Sequence, residues 1–295
     1  MKANARGANL PILVLLIGPA LVLFTVLVVA PVVQAAVYSF YRWNGMGPLV
    51  DFRALQNFKS LLADPIFQKA LWHNVLIVII SLGIEIPMAL GLALIIGRSE
   101  FKLAVFFRTF FFLPYVLSEV ITGVMWQFIY HPQYGLVRAV VLFFSPQTQP
   151  PLLLANPKLT LWMIMIVIVW KYFGLHMTIL IAGLQDIPQE LREAARIDGA
   201  SRSQVNRFVI LPLLRTTIQL SVFFSIIGSF QVFDVVWAMG KGDPVNAAET
   251  MVTYLYKFGL QRLSIGYGSA VAVTIFVICL VFSVFYQRTV ARERD

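Results

Sequence analysis

Long apolar stretches separated by short polar ones dominate this chain. Six of them reach the roughly 20 mostly apolar residues that a helix needs to cross a bilayer: about 10–40, 73–97, 107–130, 160–184, 210–233 and 267–287. The pattern predicts an all-α integral membrane protein with six transmembrane helices, and an even number of spans places both chain ends on one side. The stretches at about 41–72, 131–159 and 234–266 carry turn formers such as Asn44-Gly45, Gly47-Pro48, Asp64-Pro65, His131-Pro132, Pro150-Pro151 and Asp243-Pro244. They read as short outer caps, too small to bury a core. The whole of 1–295 reads as one transmembrane domain: a first span with its outer loop (1–72), a core bundle of five spans (73–287) and, inside that bundle, a cytoplasmic loop at 185–212. The apolar run from Leu10 is longer than the 7–15 residues of a signal-peptide h-region. It is therefore expected to stay as a span despite Ala30 and the Ala35-Ala36 pair.

The 185–212 loop departs from the apolar pattern. Pro188 suits the first turn of a helix, where a missing N–H costs nothing, and Gly199 suits the left-handed stop that follows many helices. Between them, Ile187, Leu191, Ala194 and Ile197 recur at helical spacing, with Gln189, Glu190, Arg192, Glu193 and Arg196 on the remainder. Glu193 and Arg196, three apart, can pair across the surface. Such a helix either lies on lipid headgroups or docks onto a cytoplasmic protein. The small Ala194 and Ala195 favour docking, because a membrane-inserting face offers Leu, Phe or Trp.

Composition agrees with a bilayer. The chain is 59% hydrophobic and 13% charged, against about 45–50% and 25% in soluble domains. Its net charge of +9 comes from residues scattered at the ends of apolar segments, so no nucleic-acid partner is expected. Of 23 Lys and Arg, 13 fall in segments assigned inside (Lys2, Arg6, Arg98, Lys102, Arg108, Arg192, Arg196, Arg202, Arg207, Arg215, Arg288, Arg292, Arg294), which puts both termini in the cytoplasm. Cys279 is the single cysteine and can form no internal disulfide. There is no G-x-x-x-x-G-K-[ST] loop, so the chain is no ATPase by itself. His73, His131 and His176 lack ligand spacing, and neither G-x-S-x-G nor H-E-x-x-H occurs. No catalytic residue, metal or cofactor is expected on this chain, and Gly266 and Gly268 read as small residues opening a span.

Three ions fall near the middle of spans: Glu85, Glu119 and Lys171. Each costs at least about 2.5–3.5 kcal/mol there, so each should face protein or water. Either Lys171 neutralises one of the acids and holds helices in register, or a carboxylate lines a solute path. The hydroxyls of Thr217, Ser221, Ser225 and Ser229 repeat every four residues; they serve close helix packing or face solute together with Gln231. Trp126, Trp162, Trp170 and Trp237 are placed at membrane interfaces, with stacking on sugar rings as the other reading.

The run Glu193-Ala194-Ala195-Arg196-Ile197-Asp198-Gly199-Ala200-Ser201, with Leu211-Pro212 after it, resembles the EAA loop of ABC importer permeases of the carbohydrate type. Pro31, Ser39-Phe40, Trp43, Asn57-Phe58, Asp64-Pro65-Ile66-Phe67 and Asn74 resemble the maltose- and glycerol-phosphate-type first permease subunit. Trp170-Lys171, Gly174 and Ala182-Gly183-Leu184 resemble the segment leading into the loop. Two departures stand out: Gly240-Lys241-Gly242-Asp243-Pro244 replaces the family's Thr-x-Gly-Gly-Pro, and Phe208 matches the family's phenylalanine only loosely.

The resemblance implies a multi-pass subunit of a bacterial-type cytoplasmic (inner) membrane that imports a sugar or related polyol. It implies a heterodimer with a second, homologous permease, two copies of a cytoplasmic ABC ATPase that consumes the ATP, and an extracytoplasmic solute-binding protein. Glu193 would contact the ATPase, Ala194 and Ala195 would fit its cleft, Asp198 would belong to the same coupling set, Gly199 would supply the turn out of the cleft, and Leu211 and Pro212 would start the fifth span. The alternative is an ion-gradient-driven secondary transporter using Glu85, Glu119 and Lys171; a membrane enzyme is a more distant third.

Overall fold

A computed structural model describes residues 10–97, 102–147 and 149–292. Lys2, Arg6, Arg98 and Arg294 of the charge count lie outside the described residues. Most of the described residues are helical, and one isolated bridge between Tyr41 and Phe52 stands in place of any sheet among them. Five helices are long and apolar enough to cross a membrane, or six if one bent pair counts as a span.

In chain order the helices are α1 (Leu10–Phe24), α2 (Ala30–Tyr38), α3 (Gln56–Ala63), α4 (Pro65–Ile80), α5 (Ile86–Ile96), α6 (Lys102–Val116), α7 (Glu119–Ile129) and α8 (Leu136–Phe144). They continue with α9 (Thr160–Gln185), α10 (Gln189–Ile197), α11 (Arg202–Val205), α12 (Leu211–Gln231), α13 (Asp234–Gly240), α14 (Met251–Tyr254) and α15 (Ile265–Arg292). π-helical turns join α1 to α2 (Thr25–Val29), α4 to α5 (Ser81–Glu85) and α11 to α12 (Asn206–Ile210). In each case a proline, Pro31, Pro87 or Pro212, sits second in the helix that resumes. Proline has no N–H to give to the preceding turn and its ring collides with the carbonyl four residues back. A π turn inserts one residue and swings that carbonyl aside, so the helix continues without breaking.

The chain forms two compact units, 1–64 with 255–277 and 65–254 with 278–295. In the first, the Asn57 side-chain amide donates to the carbonyls of Ser39 (2.8 Å) and Tyr41 (2.9 Å), and Trp43 Nε1 donates to those of Met46 and Gly47 (both 3.1 Å). The Gly266 N–H returns to the Trp43 carbonyl (2.9 Å). The segment Leu15–Tyr38 shows almost no burial, so its Leu, Val and Phe side chains are left for lipid.

In the second unit α9 is the axis, packed against α5, α6 and α12. Small residues let these helices approach, the usual route to stability where lipid removes the hydrophobic drive between helices. Ala89, Ala93 and Ala104 are buried against Met177, Leu180, Ile181 and Leu184, and a Cβ on Gly174 would collide with the Phe111 carbonyl of α6. The expected third span is broken: α6 and α7 meet at 99° across Leu117 and Ser118. The expected cap at 234–266 is not a cap either. Val235, Val236, Met239 and Ala248 enter a core with Ile77, Ile164 and Val167. Polar side chains hold them there: Asn74 bridges the Ser229 carbonyl (2.6 Å) and the Met251 N–H (2.9 Å), His73 Nδ1 donates to the Glu249 carbonyl (2.7 Å), and Thr250 donates to the Val232 carbonyl (2.9 Å).

Gly174→Val should force α6 off α9. Overpacking of this kind costs about 1–3 kcal/mol, so the detergent-solubilised protein should melt several degrees lower, whereas Gly228→Val, at a glycine with open space around it, should melt within a degree or two of the parent.

Candidate functional site

Two features stand out: a polar cavity beside α9, and the α10 loop. The cavity, about 490 Å³, is walled by the π turn after α4, the α6–α7 junction, α9 and the end of α12. Residues on α9 four apart share a face, and Tyr172 and His176 both line it. Glu85 is carried there by its π turn and is 1% exposed. One of its oxygens accepts from Ser81 Oγ (2.5 Å) and the other lies 3.1 Å from His176 Nε2, while His176 Nδ1 lies 2.7 Å from Ser221 Oγ. Ser225 Oγ donates to Ser81 Oγ (2.7 Å), and Ser229 Oγ donates back to the Ser225 carbonyl (2.7 Å). Glu119 opens α7 and accepts the Tyr172 hydroxyl. Gln231 and Asp234 complete the polar wall.

Of the path residues proposed from sequence, Glu85, Glu119, Ser225, Ser229 and Gln231 line this cavity, and Lys171 and Ser221 do not. Lys171 makes no close ion pair with a carboxylate, although its charge acts on Glu119. Lys171 Nζ donates to the carbonyls of Leu117 (2.5 Å), Pro114 (3.4 Å) and Tyr115 (3.4 Å) at the α6–α7 break. A helix end leaves carbonyls without partners, and a buried ammonium with three donors answers both deficits at once. The partner of Glu85 is His176, which metal-ligand spacing alone could not reveal; its position four residues after Tyr172 on a buried helix was the available signal. Trp126, Trp162, Trp170 and Trp237 stand outside the cavity wall; Trp126 packs on Tyr130 and Trp170 at 5.1 and 5.3 Å.

The loop helix has defined ends. Pro188 stands just ahead of its first residue, and Asp198 closes it. Gly199 follows at φ +84°, a conformation that costs only glycine nothing. The Ala200 N–H bonds the Ala195 carbonyl (2.9 Å) and the Gly199 N–H that of Arg196 (3.0 Å), the paired bonds of a Schellman stop. Ser201 then starts α11 with a capping box to Gln204. Ile187 is buried and Ala195 packs inward on the chain's own core, whereas Leu191, Ala194 and Ile197 are exposed, Ile197 at 85%. Glu193 takes its hydrogen bond from Gln189 (2.7 Å) and not from Arg196 as its spacing suggested. Leu211 and Pro212 continue a helix already begun at Arg202 rather than opening it.

Fold and site together define a multi-pass helical membrane protein with a polar chamber among its helices and one stiff exposed helix. The chain belongs to the family of binding-protein-dependent transport system inner membrane components, matched over residues 89–295. It is 31% identical to the sulfoquinovosyl glycerol transport system permease protein SmoG of Agrobacterium fabrum, over 96% of this chain and 91% of that one. It is also 31% identical to the lactose transport system permease protein LacF of Rhizobium radiobacter, covering 95% and 94%. The fold matches a chain of a bacterial alginate ABC transporter solved with its alginate pentasaccharide-bound periplasmic protein, at TM-score 0.84 and 22% identity over 96% and 94% of the two chains. The ion-gradient alternative finds no support in this family.

Lys171→Met should orphan the carbonyls at the α6–α7 break. Losing a charge-assisted bond of this kind costs about 1.5–3 kcal/mol, to be read as a lower melting midpoint of the purified protein; an unchanged midpoint would show that the break does not need the ammonium.

Proposed function

We propose that this chain forms half of the translocation pathway of an ATP-driven importer for a sugar or related polyol and couples to a cytoplasmic ATPase through α10. The observation that carries the coupling is the loop itself: a short helix opened by Pro188 and stopped at Gly199, with Leu191, Ala194 and Ile197 uncovered beside charged neighbours. Only Leu191 and Ile197 offer bulky apolar contact, with the small Ala194 between them, and so short a helix with so small an apolar face suits a protein cleft better than a membrane anchor. Glu193 and Ala194 would meet that cleft; Ala195, Asp198 and Gly199 would fix the helix geometry, and Leu211 and Pro212 would pass its movement to α12.

The sugar assignment is supported by the names of SmoG and LacF and by a cavity wall rich in hydroxyl, carboxylate and amide groups. Polyhydroxylated solutes exchange water for such groups with little loss. The partners that follow are a homologous second permease, two ATPase copies using ATP, and an extracytoplasmic binding protein, in an inner membrane with both termini cytoplasmic.

Gly199→Asp tests the coupling. The variant should reach the membrane in normal amount yet lose uptake, and should release its ATPase or leave ATP hydrolysis uncoupled; normal uptake would contradict the assignment. Orientation is checked separately. In a Cys279→Ser background, Arg196→Cys, at an exposed position, should react with a membrane-impermeant maleimide in inside-out vesicles and stay unlabelled in intact cells.

A further inference from the structure

The charge of the cavity beside α9 goes beyond what a polyol path requires. Its lining carries the carboxylates of Glu85, Glu119 and Asp234, one imidazole, His176, and the hydroxyls of Tyr115 and Tyr172; among the described residues no Lys or Arg lines it. His176 stands 3.1 Å from Glu85 and can offset at most that one acid. Lys171, next to Tyr172 in sequence, has its ammonium on the backbone carbonyls of the α6–α7 break. Glu119 is held by the Tyr172 hydroxyl, a neutral donor that orients the carboxylate without cancelling its charge. Asp234, at the start of α13, is exposed at the cavity wall. From the α6–α7 break the charge of Lys171 still acts on Glu119, so three acids face at most two cationic groups, Lys171 and His176, and the chamber keeps an acidic excess; its low-dielectric walls screen fields less than water does and focus them on whatever enters.

We propose that this cavity is a charge filter that admits neutral or amine-bearing polyhydroxylated solutes and rejects anionic ones, with Glu119 and Asp234 as its specificity-determining residues. The proposal rests on the cavity being the solute path. Substrate choice by a separate binding protein would hide the effect in uptake assays, so the test uses small probes that bypass it.

In the assembled transporter in lipid nanodiscs, with Cys279→Ser and Gln231→Cys, the thiol at 231 is modified by three methanethiosulfonates: neutral methyl, cationic trimethylammonium-ethyl and anionic sulfonatoethyl. Each rate is divided by that reagent's rate with 2-mercaptoethanol. The cationic-to-anionic ratio should exceed unity by roughly tenfold or more, as expected of a focused field, and should fall towards unity in Glu119→Gln/Asp234→Asn. The neutral reagent's rate controls for changes in cavity shape. Reaction with all three reagents at matched relative rates, or a ratio that survives the double substitution, overturns the filter and leaves the path reading intact. A thiol at 231 that reacts with none of them overturns both.

Discussion

A bilayer offers no water to an unpaired backbone group, so every break in a helix has to be answered from within the protein. In this chain the break between α6 and α7 is answered by Lys171, and the consequences spread along two turns of α9. Lys171 and Gly174, three apart, share one face: the first caps the broken span and the second lets α6 come close. Tyr172 and His176, four apart, share another, where they hold Glu119 and Glu85. Packing and cavity are thus set by alternate faces of one short stretch, with the Lys171 ammonium on the packing side.

The parts of the molecule that depend on local rules were legible in the sequence. Span length gave five of the six crossings close to their observed positions, and Pro188 with Gly199 bounded α10 to within a residue. The broken third span was not legible, because Leu117-Ser118 contains no glycine or proline and Pro114 lies a turn earlier. Insertion cost correctly marked Lys171 as an ion in need of partners, but it does not distinguish a carboxylate from a cluster of carbonyls. The same limit hid the pairing of Glu85 with His176, whose residues are far apart in the chain. Pro31, Pro87 and Pro212 lie inside runs read as apolar spans, and the π turns ahead of them were not read from the pattern; one of those turns places Glu85 at the cavity.

The segment from Asp234 to Tyr254 shows why turn formers alone understate a loop. Its turn formers and short length suggested an outer cap, yet His73, Asn74 and Thr250 supply hydrogen bonds that allow its backbone to be buried. Buried irregular backbone is tolerated at this depth only where protein groups satisfy it. The serine stripe on α12 follows similar logic. Ser221 meets His176, Ser225 meets Ser81, and only the outer members reach the chamber.

From Arg202 to Gln231 the chain is one helical rod of 30 residues, π turn included, about 45 Å at the rise of an α-helix. Its near end is clamped to the α10 loop by the Ser201 cap, and the carbonyl of Ser229 near its far end is gripped by Asn74. A rod held in this way has the geometry of a crank: any tilt at the loop end would reach the chamber end as a sideways sweep of its hydroxyls, scaled by distance from the pivot. The extra residue ahead of Pro212 interrupts the regular i→i+4 bonding of the rod, and the stiffness of that turn would set how much of such a tilt is delivered and how much is absorbed.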